Sequence, residues 1–210
     1  MRLFISGFFI SSLLLVLGGC TTSSVNTASG DVPVEDMPVA VAPAEGSPPT
    51  SSNNNCEGTT ALPAELAGSF DPVDDPELLK GALGDPGKGG LCKAAVYQLK
   101  PGAQVDVYRV WNSTYQKSEN GRWWAFSRPQ GSITTFRENY EICIEWSPLD
   151  RLRKCRLTAG TRVAVGPGQS ASCPQSRVEY GVSAAQQVYL EDAAQHVEDC
   201  EGWEADFSWQ

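Results

Sequence analysis

Apolar and polar positions divide this chain into three stretches. After Met1-Arg2, an apolar run extends from Leu3 to Leu17, interrupted only by Ser6, Gly7, Ser11 and Ser12. From Thr21 to Asn55 the chain is mainly Ser, Thr, Asn, Pro, Ala and Val, with too few apolar residues in any segment to offset the entropy of ordering. From Cys56 onward, short alternating or helical-period runs are separated by Gly and Pro clusters, which predicts one folded domain over 56–210.

Within that domain, Asp75-Pro76-Glu77-Leu78-Leu79 combines an N-cap, a proline at the first helical position and an acidic first turn, predicting a short helix to Leu83. Residues 84–90 (GDPGKGG) predict a loop. It is no phosphate loop of the Walker kind, because Gly90 and Leu91 stand where Lys and Ser or Thr are required. The run Val105–Trp111 predicts a strand, with Arg109 on the face shared by Val105, Val107 and Trp111. An arginine on an apolar face needs either a structural ion pair or a place in a cleft where it holds an anion. Residues 121–127 (GRWWAFS) predict a second strand, whose adjacent tryptophans point to opposite faces. Ser132 to Tyr140 predicts a helix capped by Ser132, and Thr161–Val165 a strand broken by Gly166-Pro167-Gly168. Residues 187–190 fit a strand, while Ala185, Tyr189, Ala193 and Val197 recur at helical spacing. A strand followed by a helix satisfies both patterns.

The N-terminal run has the charge and length of a secretory signal, short for a membrane span. It closes on Leu17-Gly18-Gly19-Cys20, which resembles the bacterial lipoprotein lipobox. That resemblance implies a signal peptide over 1–19, acylation of Cys20, a tether over 20–55, and a lipid anchor in the cell envelope. The alternative is a retained transmembrane helix. Thr21 lacks the aspartate that marks inner-membrane retention, which points to the outer membrane. A flexible tether of about 35 residues reaches on the order of 33 Å.

Charge and cysteine content narrow the chemistry. With 25 acidic and 16 basic residues the net charge is -9, which argues against nucleic acid as a partner. The excess sits in residues 21–55 and 191–210, where acids are unopposed, and reads as solvation of the ends. One histidine, His196, excludes a His-cluster metal site and leaves little for a Ser-His-Asp triad. Beyond Cys20, an even set of cysteines (Cys56, Cys92, Cys143, Cys155, Cys173, Cys200) in an exported chain predicts three disulfides, with no close CxxC pair for a metal. Sequential order suggests Cys56 with Cys92, Cys143 with Cys155, and Cys173 with Cys200.

Tyr108-Arg109-Val110-Trp111, then Gly121-Arg122-Trp123-Trp124 with Ser127 and Pro129, then Gly160-Thr161-Arg162-Val163, and finally Gln187-Val188-Tyr189 resemble the ADP-ribosyltransferase-like toxin domains of bacteria and their NAD glycohydrolase relatives. The resemblance covers about residues 105–192. It implies an α+β fold with a small, split, mixed β-sheet core, short helices and a cleft that holds NAD as substrate, with no further cofactor. Tyr108 and Arg109 would bind the NAD phosphates or ribose. Trp124, Phe126 and Ser127 would shape the nicotinamide pocket. Gln187, with Arg109, would take the catalytic position. Transferases place a glutamate where Gln187 stands, and glutamine orients by hydrogen bonding without supplying charge, so hydrolysis to water fits better than transfer to a protein. A toxin or effector role would bring an immunity protein as partner. A different class remains open: a disulfide-stapled envelope lipoprotein that binds a partner and catalyses nothing.

Overall fold

The computed structural model describes residues 56–205. The apolar run, the expected lipidation at Cys20 and the expected tether therefore lie outside the described residues, as do residues 206–210. Among the described residues no helix is long and apolar enough to cross a membrane.

In chain order the elements are β1 (Phe70–Pro72), α1 (Pro76–Ala82), β2 (Ala95–Leu99), β3 (Asp106–Trp111), β4 (Trp123–Trp124) and α2 (Ile133–Tyr140). They continue with β5 (Arg151–Leu157), β6 (Arg162–Pro167), β7 (Ala171–Cys173), β8 (Val178–Tyr180), β9 (Gln186–Tyr189), α3 (Ala193–His196) and β10 (Val197–Glu204). Helix starts follow their caps. Asp75 accepts a hydrogen bond from Leu78 N at 3.1 Å, and Ser132 accepts one from Thr135 N at 3.1 Å, each satisfying an otherwise orphan donor.

The strands form a five-stranded sheet in the order β1-β2-β6-β9-β4, a three-stranded sheet β10-β5-β3 and the hairpin β7-β8. Every pair of these strands is antiparallel, which corrects the expected mixed sheet. The inserted strand β6 runs opposite to both β2 and β9, so no parallel crossover is needed. Alternation sets the core. Val163, Val165, Val188 and Trp124 project from one face of the large sheet and pack with Val107, Cys155 and Leu157 of the small one. On the opposite face, Ala164 and Tyr189 pack under Leu78 and Ala82 of α1.

Several elements differ from the sequence expectation. Strand β6 runs on through Gly166 and Pro167, pairing them with Gln187 and Gln186. A Cβ at Gly166 would stand 1.9 Å from Lys93 O, so glycine here permits a close approach of backbone where a break was expected. Pro167 lies beyond the pairing of β2, which ends at Ala95 opposite Val165, and its missing N–H costs that ladder nothing. The helix expected after Leu190 is one turn, α3, and the acidic tail beyond it forms β10 on β5. Its acids therefore do more than solvate: Asp199 and Glu204 pair with Arg156 at 2.8 Å and Arg151 at 2.9 Å.

Among the described residues three disulfides are present, one as expected, Cys56–Cys92. The other two are corrected to Cys143–Cys173 and Cys155–Cys200. The reason is topological. The β5–β10 ladder carries Cys200, at its register shift between Glu198 and Glu201, to within 4.1 Å (Cα–Cα) of Cys155. Cys143 instead reaches the β7 hairpin strand, Cα–Cα 5.4 Å from Cys173.

Candidate functional site

A cleft of about 550 Å³ opens where β3 meets β4, bounded by the glycine loop after α1, the 112–121 loop and the segment after α2. That volume suits a small-molecule ligand. Backbone hydrogen bonds in both directions between Tyr108 and Ala125, each 2.8 Å, join the two sheets at its base. The glycine loop folds tightly enough that a Cβ on Gly84 would lie 1.6 Å from Gly89 O, and Gly89 and Gly90 have φ of +72° and +88°. Glycine is required here for loop closure, and Lys88 from this loop also lines the cleft.

Of the residues singled out from sequence, Tyr108, Arg109, Trp124 and Gln187 line this cleft. They come from three segments far apart in the chain. Phe126 and Ser127 are not among the lining residues. Phe126 packs edge-on against Phe70, ring centroids 5.9 Å apart, and Ser127 is exposed. Trp124 is buried, and its indole N–H is committed to Gly121 O at 2.8 Å, so it shapes the wall. Trp123, on the opposite face, also lines the cleft and meets Tyr189 edge-on at 5.0 Å.

Arg109 resolves the choice posed by its position on an apolar face in an unexpected way. It donates to two backbone carbonyls, Nε to Ser118 O at 2.7 Å and Nη1 to Trp123 O at 2.6 Å. Among the described residues no carboxylate forms an ion pair with it. Desolvation lowers its pKa to about 10, so it stays charged at neutral pH. The cleft therefore holds a largely desolvated cation without a counter-anion. Gly121 makes room for it, since a Cβ there would lie 2.2 Å from Nη2.

Glu141, which the sequence reading missed, also lines the cleft. It is 1% exposed and caps α2 in the left-handed region at φ 48°, a conformation that glycine adopts at lower cost. Gln187 Nε2 donates to Glu141 Oε2 at 2.8 Å, whereas Oε1 is buried without a hydrogen-bond partner. Burial pushes its pKa up to about 8. The hydrogen bond from Gln187 and the neighbouring Ser183 soften that rise, although the Ser183 hydroxyl is itself committed to Asn139 O at 2.7 Å. Burial and the adjacent Glu141 carboxylate likewise raise the pKa of Tyr140. Its neighbours in sequence, Asn139-Tyr140-Glu141-Ile142-Cys143, carry no local mark that the acid is buried.

The wall after α2 is held by the buried Arg137. Arg137 donates to Ile142 O at 3.2 Å, Cys143 O at 3.1 Å and Ser147 O at 2.7 Å. At the mouth, Tyr115 and Trp146 line the cleft while 58% and 49% exposed, an apolar rim open to a planar ligand.

No family model, curated protein or solved structure matches this chain. Its chemistry must be read from these side chains. Cys143, Glu145 and Cys173 have ligand atoms close enough to hold a metal, but both thiols are consumed in a disulfide.

Proposed function

We propose that this cleft binds NAD and hydrolyses its nicotinamide–ribose bond. The observation that carries the reading is the convergence of Arg109, Gln187 and Glu141 on one aromatic-lined cleft. An unpaired, desolvated guanidinium attracts an anion, and the NAD diphosphate supplies one. The aromatic rim accepts planar rings. Gln187, fixed by its hydrogen bond to Glu141, can orient a ribose hydroxyl.

In the reaction the C1′–N bond breaks and its electron pair returns to the pyridinium ring, so nicotinamide leaves neutral. The oxocarbenium-like centre is then captured by water, which forms the new C1′–O bond and loses a proton to solvent. Acceptors placed beside the developing positive charge favour this step because they bind the transition state more strongly than the ground state. The ADP-ribosyltransferase-like assignment, the lipidated Cys20 and the outer-membrane location belong to the same proposal. It calls for a route from the envelope to NAD, as a toxin or effector would have.

A second reading is favoured by the exposed Tyr115 and Trp146, with Ile144 between them in sequence and also exposed. On that reading the chain is an envelope lipoprotein that binds a protein partner and performs no chemistry. Incubating the full-length, oxidised protein with NAD and following nicotinamide release separates the two. Stoichiometric nicotinamide and ADP-ribose support hydrolysis; an inert, folded protein supports the binding module.

A further inference from the structure

Glu141 has no evident part in holding the fold that a neutral residue would not fill more cheaply. It is buried, it occupies a left-handed backbone position, and one of its oxygens lacks a partner. Gly168 makes the room, since a Cβ there would stand 1.8 Å from Oε2. Its polar contact with the cleft is Gln187. In β9, Gln187 lies opposite Gly166, which has no side chain, so nothing from β6 competes for the space.

We propose that Glu141 is a positioning residue for Gln187: by accepting the Nε2–H it turns Gln187 Oε1 away from itself as the free acceptor of the site, and when ionised it lends that oxygen negative charge. The amide cannot reverse against an ionised carboxylate, because carboxylate oxygens only accept. Polarisation along the carboxylate–amide chain strengthens the bond that Oε1 accepts. A glutamine backed in this way acts as a glutamate held one residue further off. The substrate side of this inference rests on the NAD reading above; the coupling between the two side chains does not.

The groups around Glu141 leave it free to titrate on its own. Tyr140 on α2 is its titratable neighbour, Ser183 and Gln187 face it as neutral hydrogen-bonding groups, and Gly168 brings only backbone. Arg137, on the same helix, is occupied with the carbonyls of residues 142, 143 and 147. Burial is the main cause of the raised pKa, near 8, so the site should gain its charge as pH rises through that value.

Two readouts on the full-length oxidised protein test this. In wild type, the side-chain amide resonances of Gln187 should shift with pH around a midpoint near 8, and in Glu141→Gln they should not. For nicotinamide release, wild-type kcat should rise through the same pH range. Glu141→Gln should flatten that profile and lower kcat by about tenfold with KM little changed, the factor separating a charge-assisted from a neutral hydrogen bond. The exchange variant carrying both Glu141→Gln and Gln187→Glu, which returns a carboxylate to the site, should recover kcat. A Gln187 amide that ignores pH in wild type, or a kcat profile identical in wild type and Glu141→Gln, overturns the proposal. An amide that titrates as expected in a protein releasing no nicotinamide supports the coupling and rejects the NAD reading alone.

Discussion

Arg109 and Arg153 face each other across β3 and β5, yet they belong to two different electrical regimes. Arg153 pairs with Glu119 at 3.5 Å and donates to the Asn120 side chain. Its neighbours on β5 do likewise: Lys154 meets Asp106 at 2.7 Å, Arg156 meets Asp199 and Arg151 meets Glu204. Arg109, directly opposite, has only carbonyls. The three-stranded sheet is therefore a zipper of matched, partly exposed charges, each pair contributing little. In the cleft, by contrast, neither Arg109 nor Glu141 has a charged partner among the described residues, and burial shifts the pKa of each toward its neutral form. Uncompensated charge is costly to bury, so its retention in the cleft marks where a ligand is expected to complete the pairing.

The largest break in this comparison should come from Glu141. Its pKa is raised from 4.5 to about 8 in the folded protein, so the native state binds the proton more tightly than the unfolded chain. Its contribution to stability is thus full below pH 4.5, declines as pH rises and levels off above about 8. Within that window wild type should lose roughly 1.4 kcal/mol per pH unit relative to Glu141→Gln, as measured by urea denaturation across pH. Parallel pH dependences for the two proteins would remove the unpaired carboxylate from the account.

Disulfides sharpen the contrast next. Replacing Cys143 and Cys173 by serine, or Cys155 and Cys200 by serine, should each cost about 2–4 kcal/mol in denaturant titrations. Only the first pair anchors the wall that carries Glu141, Ile142 and Trp146, so only its loss should abolish ligand binding in protein that remains folded. Equal effects of both pairs on binding would argue against a distinct, disulfide-held cleft wall.

Arg109→Ala should destabilise the domain by about 1.5–3 kcal/mol, through loss of its charge-assisted bonds to Ser118 and Trp123 carbonyls. It should also raise KM for an anionic substrate more than it lowers kcat. Arg153→Ala should cost less and leave KM alone. The smallest effect belongs to the zipper: a double-mutant cycle on Arg156 and Asp199 should give about 0.2–1 kcal/mol, shrinking in high salt. A coupling unaffected by salt would mean that this pair is less exposed to water than its geometry implies.

Legibility followed physical scale. Signals contained within a few residues were readable, as in the Asp75-Pro76 and Ser132 helix starts and the Val105–Trp111 strand, because caps and alternation act locally. Strand β5 (RLRKCRL) was not, since its basic residues mask the buried Leu152, Cys155 and Leu157 until acids from elsewhere neutralise them. Strand β10 was hidden for the converse reason: its acids looked like solvation until the ladder with β5 supplied partners. The two misassigned disulfides depended on that same long-range ladder and on the β7 hairpin. At the site, Arg109 was singled out by its place on an apolar strand face, and Tyr108, Trp124 and Gln187 only through the expected family resemblance. Glu141 was missed because a buried acid has no local signature; what makes it unusual is the absence of a partner, visible only after folding.

The measurement that bears most directly on the central claim is nicotinamide release from NAD by the full-length, oxidised protein, alongside Gln187→Ala. Hydrolysis predicts nicotinamide and ADP-ribose in equal amounts from wild type, with turnover reduced in Gln187→Ala more than binding is weakened. A folded wild-type protein that neither binds NAD nor releases nicotinamide would contradict it.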